Sequence, residues 1–174
     1  MQDTKKMVLA AMFLALALTL PFVTGAIPEL GNALCPMHIP VLLCGFFCGP
    51  WYGLAVGLTA PLLRSVLFGA PPLMPIGIAM SFELAAYGLL SGLLYRILPK
   101  RRPYLYVSLL SAMLGGRLVW GAVRVILYGL GKSPFGWAAF LSGAFTNAIP
   151  GIVVQIVLIP VLVMALEKKA PGKP

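Results

Sequence analysis

Five residues with ionisable side chains interrupt stretches of this sequence that are otherwise almost entirely apolar. They are His38, Arg64, Glu83, Arg117 and Arg124. Carboxylate, guanidinium and imidazole groups bind polar ligands through ion pairs and charge-assisted hydrogen bonds. A charge inside a bilayer costs at least about 2.5–3.5 kcal/mol, so such residues normally face a bundle interior, a cavity or each other. We therefore interpret them as candidates for a binding site within a membrane domain.

The composition around these residues is typical of an integral membrane protein. The chain has 174 residues, of which 60% are hydrophobic and only 10% are charged. Each crossing of a bilayer needs about 20 mostly apolar residues, so six crossings use nearly the whole chain. We expect a single membrane domain, residues 1–174, of the all-α class. The six predicted transmembrane helices are at about 6–24, 37–48, 51–68, 76–98, 104–130 and 137–166.

The basic residues predict the orientation of these helices. The net charge is +9, and nine of the thirteen Lys and Arg residues lie in three groups, at 5–6, 96–102 and 168–173. Basic loops of membrane proteins stay in the cytoplasm, which places both termini and the 96–102 loop on that side. We interpret the basic loop as a topology signal in contact with membrane lipid. Nucleic acid is not an expected partner.

This topology brings polar residues from five spans to one depth, in the outer half of the bilayer. Glu83 lies about two turns below the outer surface, at 1.5 Å per residue. Arg117 and Arg124 are seven residues apart and share one face of the fifth span, and aromatic side chains nearby could stack on a flat ligand. The predicted substrate-binding residues are His38, Arg64, Glu83, Tyr87, Arg117, Trp120, Arg124 and Asn147.

Each polar residue also has a purely structural interpretation. Arg64 could extend to the outer interface. Glu83 could form an ion pair with Arg117 or Arg124 that locks the fourth and fifth spans together. His38 could bond a loop carbonyl, and Asn147 could satisfy carbonyls freed by the proline that follows it. Gln155 is expected to hold helices together rather than to contact a ligand. The joint occurrence of polar side chains at one depth favours a ligand site.

The main alternative is a small intramembrane enzyme that uses Glu83 and His38 as acid and base. The sequence offers few residues that could carry out catalysis. It has no carboxylate pair for magnesium and no Ser/His arrangement in a catalytic context. Cys44 and Cys48 have no His or carboxylate nearby to complete a metal site. We expect no metal, no cofactor and no enzymatic activity. The chain also has no Gly-x-x-x-x-Gly-Lys-Ser/Thr loop, so we do not expect it to hydrolyse ATP itself.

The strongest pattern is PMHIPVLLCGFFCGPWYGLAVGLTAPLLRSVL, two apolar helices joined by Gly-Pro, followed by PPLMPIGIAMSFELAAYGLLSGLL. With six spans and cytoplasmic termini, the chain resembles the substrate-binding S components of energy-coupling factor (ECF) vitamin transporters. The resemblance covers most of the chain. It implies a high-affinity subunit in a bacterial plasma membrane that captures a vitamin or related micronutrient in an outer-half pocket. It also implies docking on a T protein that carries two ATPase subunits.

In that family the first helix carries Ala-x-x-x-Ala, which meets the coupling helices of the T protein. Ala11 and Ala15 supply this motif here. Two alanines one turn apart allow another helix to approach closely. The alternative is ordinary packing against the protein's own helices.

The sequence bounds the ligand class without naming the ligand. Three arginines against one glutamate leave a positive excess, which favours an anionic or acceptor-rich ligand such as pantothenate. A flat heterocycle, such as a pyridoxine-type vitamin or a modified-base precursor, would instead use the aromatic residues and Glu83. Both classes remain open from the sequence.

Overall fold

The computed structural model describes residues 2–24, 36–130 and 148–169, and within these ranges the chain is helical with no strand. Its helices are α1 (Gln2–Thr24), α2 (His38–Cys48), α3 (Pro50–Phe68), α4 (Ile78–Ile97), α5 (Arg102–Leu130) and α6 (Ile149–Lys169). An irregular turn, Leu73–Gly77, leads directly into α4, and Met74 in this turn has non-helical backbone angles. The predicted all-α class is confirmed for this part of the chain.

Five of the helical segments are long and apolar enough to cross a membrane. They cover 3–23, 50–68, 73–97, 102–129 and 149–166. α2 has 11 residues, which is about 16 Å of helix and roughly half of a bilayer's hydrocarbon thickness. The outer part of the predicted sixth span, 137–147, lies outside the described residues.

Gly49 and Pro50 separate α2 from α3. Gly49 has a φ of 101°, a conformation that side chains with a Cβ rarely adopt and that ends α2. Pro50 occupies the first turn of α3, where its fixed φ suits a helix start and its missing N–H costs nothing. The break therefore turns the chain sharply between two helices that remain packed together.

α4 is the centre of the bundle. It packs against α2, α3 and α5, while α1 packs against α2 and α3, and α6 packs against α2 and α5. The exposed faces remain apolar, as at Val66 and Ile126, which suits contact with lipid. A polar side chain on the inner face of α4 is therefore surrounded by three other helices and removed from the lipid.

Glycines allow α2, α3 and α4 to meet backbone to backbone. A Cβ built on Gly53 would lie 2.5 Å from the carbonyl oxygen of Gly88, and one built on Gly45 would lie 2.5 Å from the same oxygen. We call the residues in these contacts the glycine seam: Gly45, Gly53, Gly57, Gly88 and Gly92. Small residues let apolar helices approach this closely. The seam fixes the register of α4, with Gly88 level with both Gly45 and Gly53.

Contacts at one end of the bundle gather the basic residues. The Tyr52 hydroxyl donates to the Asp3 carbonyl at 3.5 Å, and the Arg96 guanidinium lies against Gly49. The start of α1, the α2–α3 turn and the end of α4 therefore share this end. We call it the basic end; its basic residues are Lys5, Lys6, Arg96, Lys100, Arg101 and Arg102.

Candidate functional site

Glu83 on α4 is the centre of a buried charged cluster. Its Oε1 atom lies 2.8 Å from Arg117 Nη1 on α5 and 3.5 Å from His38 Nε2 on α2. All three side chains are buried, with 1%, 7% and 3% of the Glu83, Arg117 and His38 surfaces exposed. The structure thus brings together three of the predicted site residues from three helices. We call them the His38–Glu83–Arg117 cluster.

The cluster has unfulfilled hydrogen-bonding capacity. Neither nitrogen of His38 forms a hydrogen bond within the described part of the chain, and Glu83 Oε1 accepts none there in spite of its close neighbours. Buried polar atoms are nearly always hydrogen-bonded, and leaving one without a partner costs about 1–3 kcal/mol. An arrangement made only to lock two helices would satisfy these atoms internally. The geometry favours a site completed by a further polar group.

An aromatic ring borders this cluster. Tyr87 follows Glu83 by one turn of α4, and its ring centroid lies 5.3 Å from that of His38, with an angle of 59° between the planes. Gly116 on α5 makes this placement possible, because a Cβ there would overlap the Tyr87 ring. The same Cβ would lie 3.1 Å from the Glu83 carbonyl oxygen. Gly116 therefore sets how closely α5 approaches both site residues of α4.

Replacing Gly116 by alanine is expected to push α5 away from Tyr87. We expect Gly116→Ala to lower the free energy of unfolding by about 1–3 kcal/mol, the usual effect of overpacking. SDS-induced unfolding in mixed detergent micelles measures this change. Gly129→Ala on the same helix is the matched control, because a Cβ there has no atom of the described residues within 4 Å. Equal stability of the two variants would contradict the close approach.

Trp120 and Arg124 continue the site along α5. The Arg124 guanidinium lies 5.1 Å from the Trp120 ring centroid and 4.9 Å from the Tyr128 ring centroid. Such contacts between a cation and an aromatic face are attractive. Trp120 is buried and packs with Ala79, which precedes Glu83 by one turn of α4. The aromatic surface therefore extends from the cluster toward the end of the bundle opposite the basic end.

Arg64 makes a separate set of contacts. Its Nη1 donates a hydrogen bond of 2.6 Å to the Leu18 carbonyl on α1. Its guanidinium also lies 4.6 Å from the Phe22 ring centroid and 5.7 Å from that of Phe68. The structure thus joins Arg64 to the end of α1 and does not place it with Glu83. A direct contact between Arg64 and a substrate stays a prediction.

We expect Arg64→Met to destabilise the junction of α1 and α3. The change removes a charge-assisted hydrogen bond and leaves the Leu18 carbonyl without its guanidinium donor, at an expected cost of about 1–3 kcal/mol of unfolding free energy. Arg64→Lys is the companion variant, since it keeps the charge but loses the planar group that lies over the rings. Thermal unfolding followed by circular dichroism measures both. Wild-type stability of Arg64→Met would rule out this role.

The remaining predicted residues differ in where they lie. Asn147 is outside the described residues. Gln155 on α6 is 1% exposed, and its Nε2 has no hydrogen-bond partner in the part of the chain that the structure describes. Ala11 and Ala15 are exposed on α1 and are not buried by the helices that the structure describes.

Sequence reasoning overlooked the glycines that position the site. Gly116, Gly53 and Gly88 were not among the candidate site residues, although each of them allows a neighbouring helix to approach closely. The usable signal was a glycine, or a Gly-Gly pair, inside an apolar span, where small residues mark helix contacts. Within the described ranges, no three His, Cys, Asp or Glu side chains are grouped as metal ligands would be.

The apolar helices and the buried cluster together define a multi-pass membrane protein with a polar centre built from three helices. The sequence model of the family described as ECF transporter, substrate-specific component, matches residues 5–163. The chain therefore belongs to this family, which confirms the resemblance at the family level. Its members are substrate-binding subunits of transporters and not enzymes, which argues against the intramembrane-enzyme alternative. No curated protein matches the chain.

Proposed function

We propose that this protein is the high-affinity substrate-binding subunit of an ATP-driven importer for a vitamin or related micronutrient. The observation that carries the proposal is the buried His38–Glu83–Arg117 cluster, in which His38 and Glu83 retain side-chain atoms that hydrogen-bond to no residue of the described ranges. Glu83 offers an acceptor, His38 offers a donor or an acceptor, and Tyr87 and Trp120 offer aromatic faces. Such a set is suited to the recognition of a small polar molecule.

We place this site in the outer half of the bilayer, with six membrane helices and both termini in the cytoplasm. The gathering of basic residues at one end of the bundle supports this orientation, because positive charges favour the cytoplasmic side. Glu83 is five residues from the start of α4 and fourteen from its basic end. At 1.5 Å per residue, these are about 8 Å and about 21 Å. The cluster then faces the outside of the cell.

The proposed partners are a T protein and two ATPase subunits in a bacterial plasma membrane. The exposure of Ala11 and Ala15 supports docking through α1, because no helix of the described ranges covers the surface that they form. The neighbouring exposed residues on this helix are apolar, among them Met7, Val8 and Met12. Close approach at small residues is a principal source of helix association in membranes.

Mass spectrometry of the purified protein tests the proposed function. Wild-type protein, produced in a bacterial membrane and extracted in mild detergent, is denatured, and the released small molecules are identified. We expect one compound in roughly stoichiometric amount, and ATP-dependent uptake of it by cells that also express the T protein and the ATPases. The absence of any bound compound together with the absence of uptake would refute the proposal.

The docking surface gives a separate prediction. We expect Ala11→Trp combined with Ala15→Trp to reduce co-purification of the T protein at least about tenfold, because two bulky rings prevent close helix approach. Compound retention by the isolated subunit should not change. Leu114→Trp is the control, since Leu114 is an exposed apolar residue on α5. Equal loss of the T protein in the control would contradict a specific role for the alanine pair.

A further inference from the structure

The charges at the cluster are already balanced. The Glu83 carboxylate lies 2.8 Å from the Arg117 guanidinium, so each neutralises the other. Arg64 is engaged with the Leu18 carbonyl and two aromatic rings on α1 and α3. Arg124 is seven residues beyond Arg117, about 10 Å along α5, and lies over its own aromatic neighbours. The positive excess counted in the sequence therefore does not exist at Glu83.

A negatively charged ligand group would be disfavoured at this position. It would lie beside the Glu83 carboxylate in a site where 1% of Glu83 is exposed, and like charges repel strongly at short range when water is excluded. A positively charged ligand group would likewise be repelled by the Arg117 guanidinium. The cluster is suited to a ligand group without net charge.

The atoms without hydrogen-bond partners define what this group must offer. Glu83 Oε1 is an acceptor, and the two nitrogens of a neutral imidazole are one donor and one acceptor. None of these three atoms has a hydrogen-bond partner among the residues of the described ranges. A ligand that completes the site must therefore donate an N–H or O–H to Glu83. It must also pair with His38 from a position close to the same group.

The neighbouring rings favour a flat ligand. The His38 and Tyr87 rings lie 5.3 Å apart at an angle of 59°, and the buried Trp120 ring is one turn beyond Arg117 on the same helix. Aromatic side chains prefer offset-stacked or edge-to-face contacts with other rings. A planar heterocycle can make such contacts while its edge carries the hydrogen bonds.

We propose, on the basis of the function proposed above, that the substrate is an uncharged planar heterocycle that donates an N–H or O–H hydrogen bond to Glu83. A carboxylate or phosphate group does not fit beside Glu83. Of the two ligand classes that the sequence left open, the flat heterocycle is the one that the cluster accommodates.

The test measures the charge of the bound compound. The compound released from wild-type protein is passed over an anion exchanger at pH 7, and its mass and ultraviolet absorbance are recorded. We expect an ultraviolet-absorbing compound that is not retained. A retained compound, carrying a carboxylate or phosphate, would overturn this inference while leaving the transport function intact. If no compound is released and neither pyridoxine nor pantothenate binds in calorimetry, both proposals fail.

A second test is whether Glu83→Gln decreases or increases the amount of compound that the protein retains. For a neutral donor, Glu83→Gln replaces a charged acceptor by a neutral one and should reduce the compound retained per mole of folded protein at least about tenfold. For an anionic ligand, the same change removes a repulsion and should increase retention. Unchanged or increased retention would overturn the inference. Size-exclusion chromatography of each preparation restricts the comparison to folded protein.

Discussion

Glu83→Gln is expected to eliminate substrate binding and to destabilise the protein. The variant leaves Arg117 as a buried cation without its counter-ion, and breaking a buried pair in this way costs about 3–5 kcal/mol. Losing the hydrogen bond between the substrate and the charged Glu83 acceptor should also lower the affinity for the substrate by a factor of about 100. Detergent unfolding measures the first effect, and titration with the compound identified by mass spectrometry measures the second.

A double variant separates binding from stability. Combining Glu83→Gln with Arg117→Met removes both charges, and replacing a buried pair by groups of similar volume is often neutral for stability. We therefore expect the double variant to recover most of the lost stability but none of the affinity. If the ion pair only locks α4 to α5, the double variant will bind substrate like the wild type. That result would remove Glu83 from the site.

Gly88→Ala is expected to have the largest effect on folding among the glycine substitutions. The added Cβ would overlap the backbone of Gly53, and a backbone cannot move aside as a side chain can. We expect the free energy of unfolding to fall by about 3 kcal/mol, the upper end of the usual range for overpacking. SDS-induced unfolding in mixed micelles, with helix content followed by circular dichroism, measures the difference.

Gly129→Ala is the control for this prediction as well. Both substitutions gain about 1 kcal/mol of helix propensity, but the Cβ at Gly129 meets no atom within 4 Å among the residues that the structure describes. We expect Gly129→Ala to be neutral or slightly stabilising. If Gly88→Ala behaves in the same way, α3 and α4 are farther apart than the glycine seam requires. Substrate binding in the surviving folded fraction should also fall, because the seam sets the position of Glu83.

Helix geometry explains why part of the site was predictable. A helix rises by a fixed distance per residue, so the position of Glu83 along α4 could be predicted from the sequence. The shared face of Arg117 and Arg124 followed from their spacing in the same way. The all-α class followed from apolar stretches of membrane length. These predictions needed only properties of single helices.

The choice of partners depended on contacts between helices, which the sequence does not encode locally. Arg117 and Arg124 lie on one face, and the approach of Gly116 to Tyr87 selects Arg117 as the partner of Glu83. Arg64 was counted with the site because it is charged and lies in an apolar span. Its actual neighbours come from the end of α1, and nothing in the spacing within α3 indicates them.

The glycine seam limits where a change of specificity could be introduced. Substitutions along it alter the backbone positions of α2, α3 and α4 together, so the seam offers little room for adjusting one contact at a time. α5 meets α4 at the site through the Tyr87 and Glu83 side chains and the bare backbone of Gly116. Residues of α5 other than Gly116 and Arg117 can therefore be exchanged without rebuilding the other helices. A directed-evolution library for binding a new substrate should therefore be concentrated on α5, while α2, α3 and α4 are left unchanged.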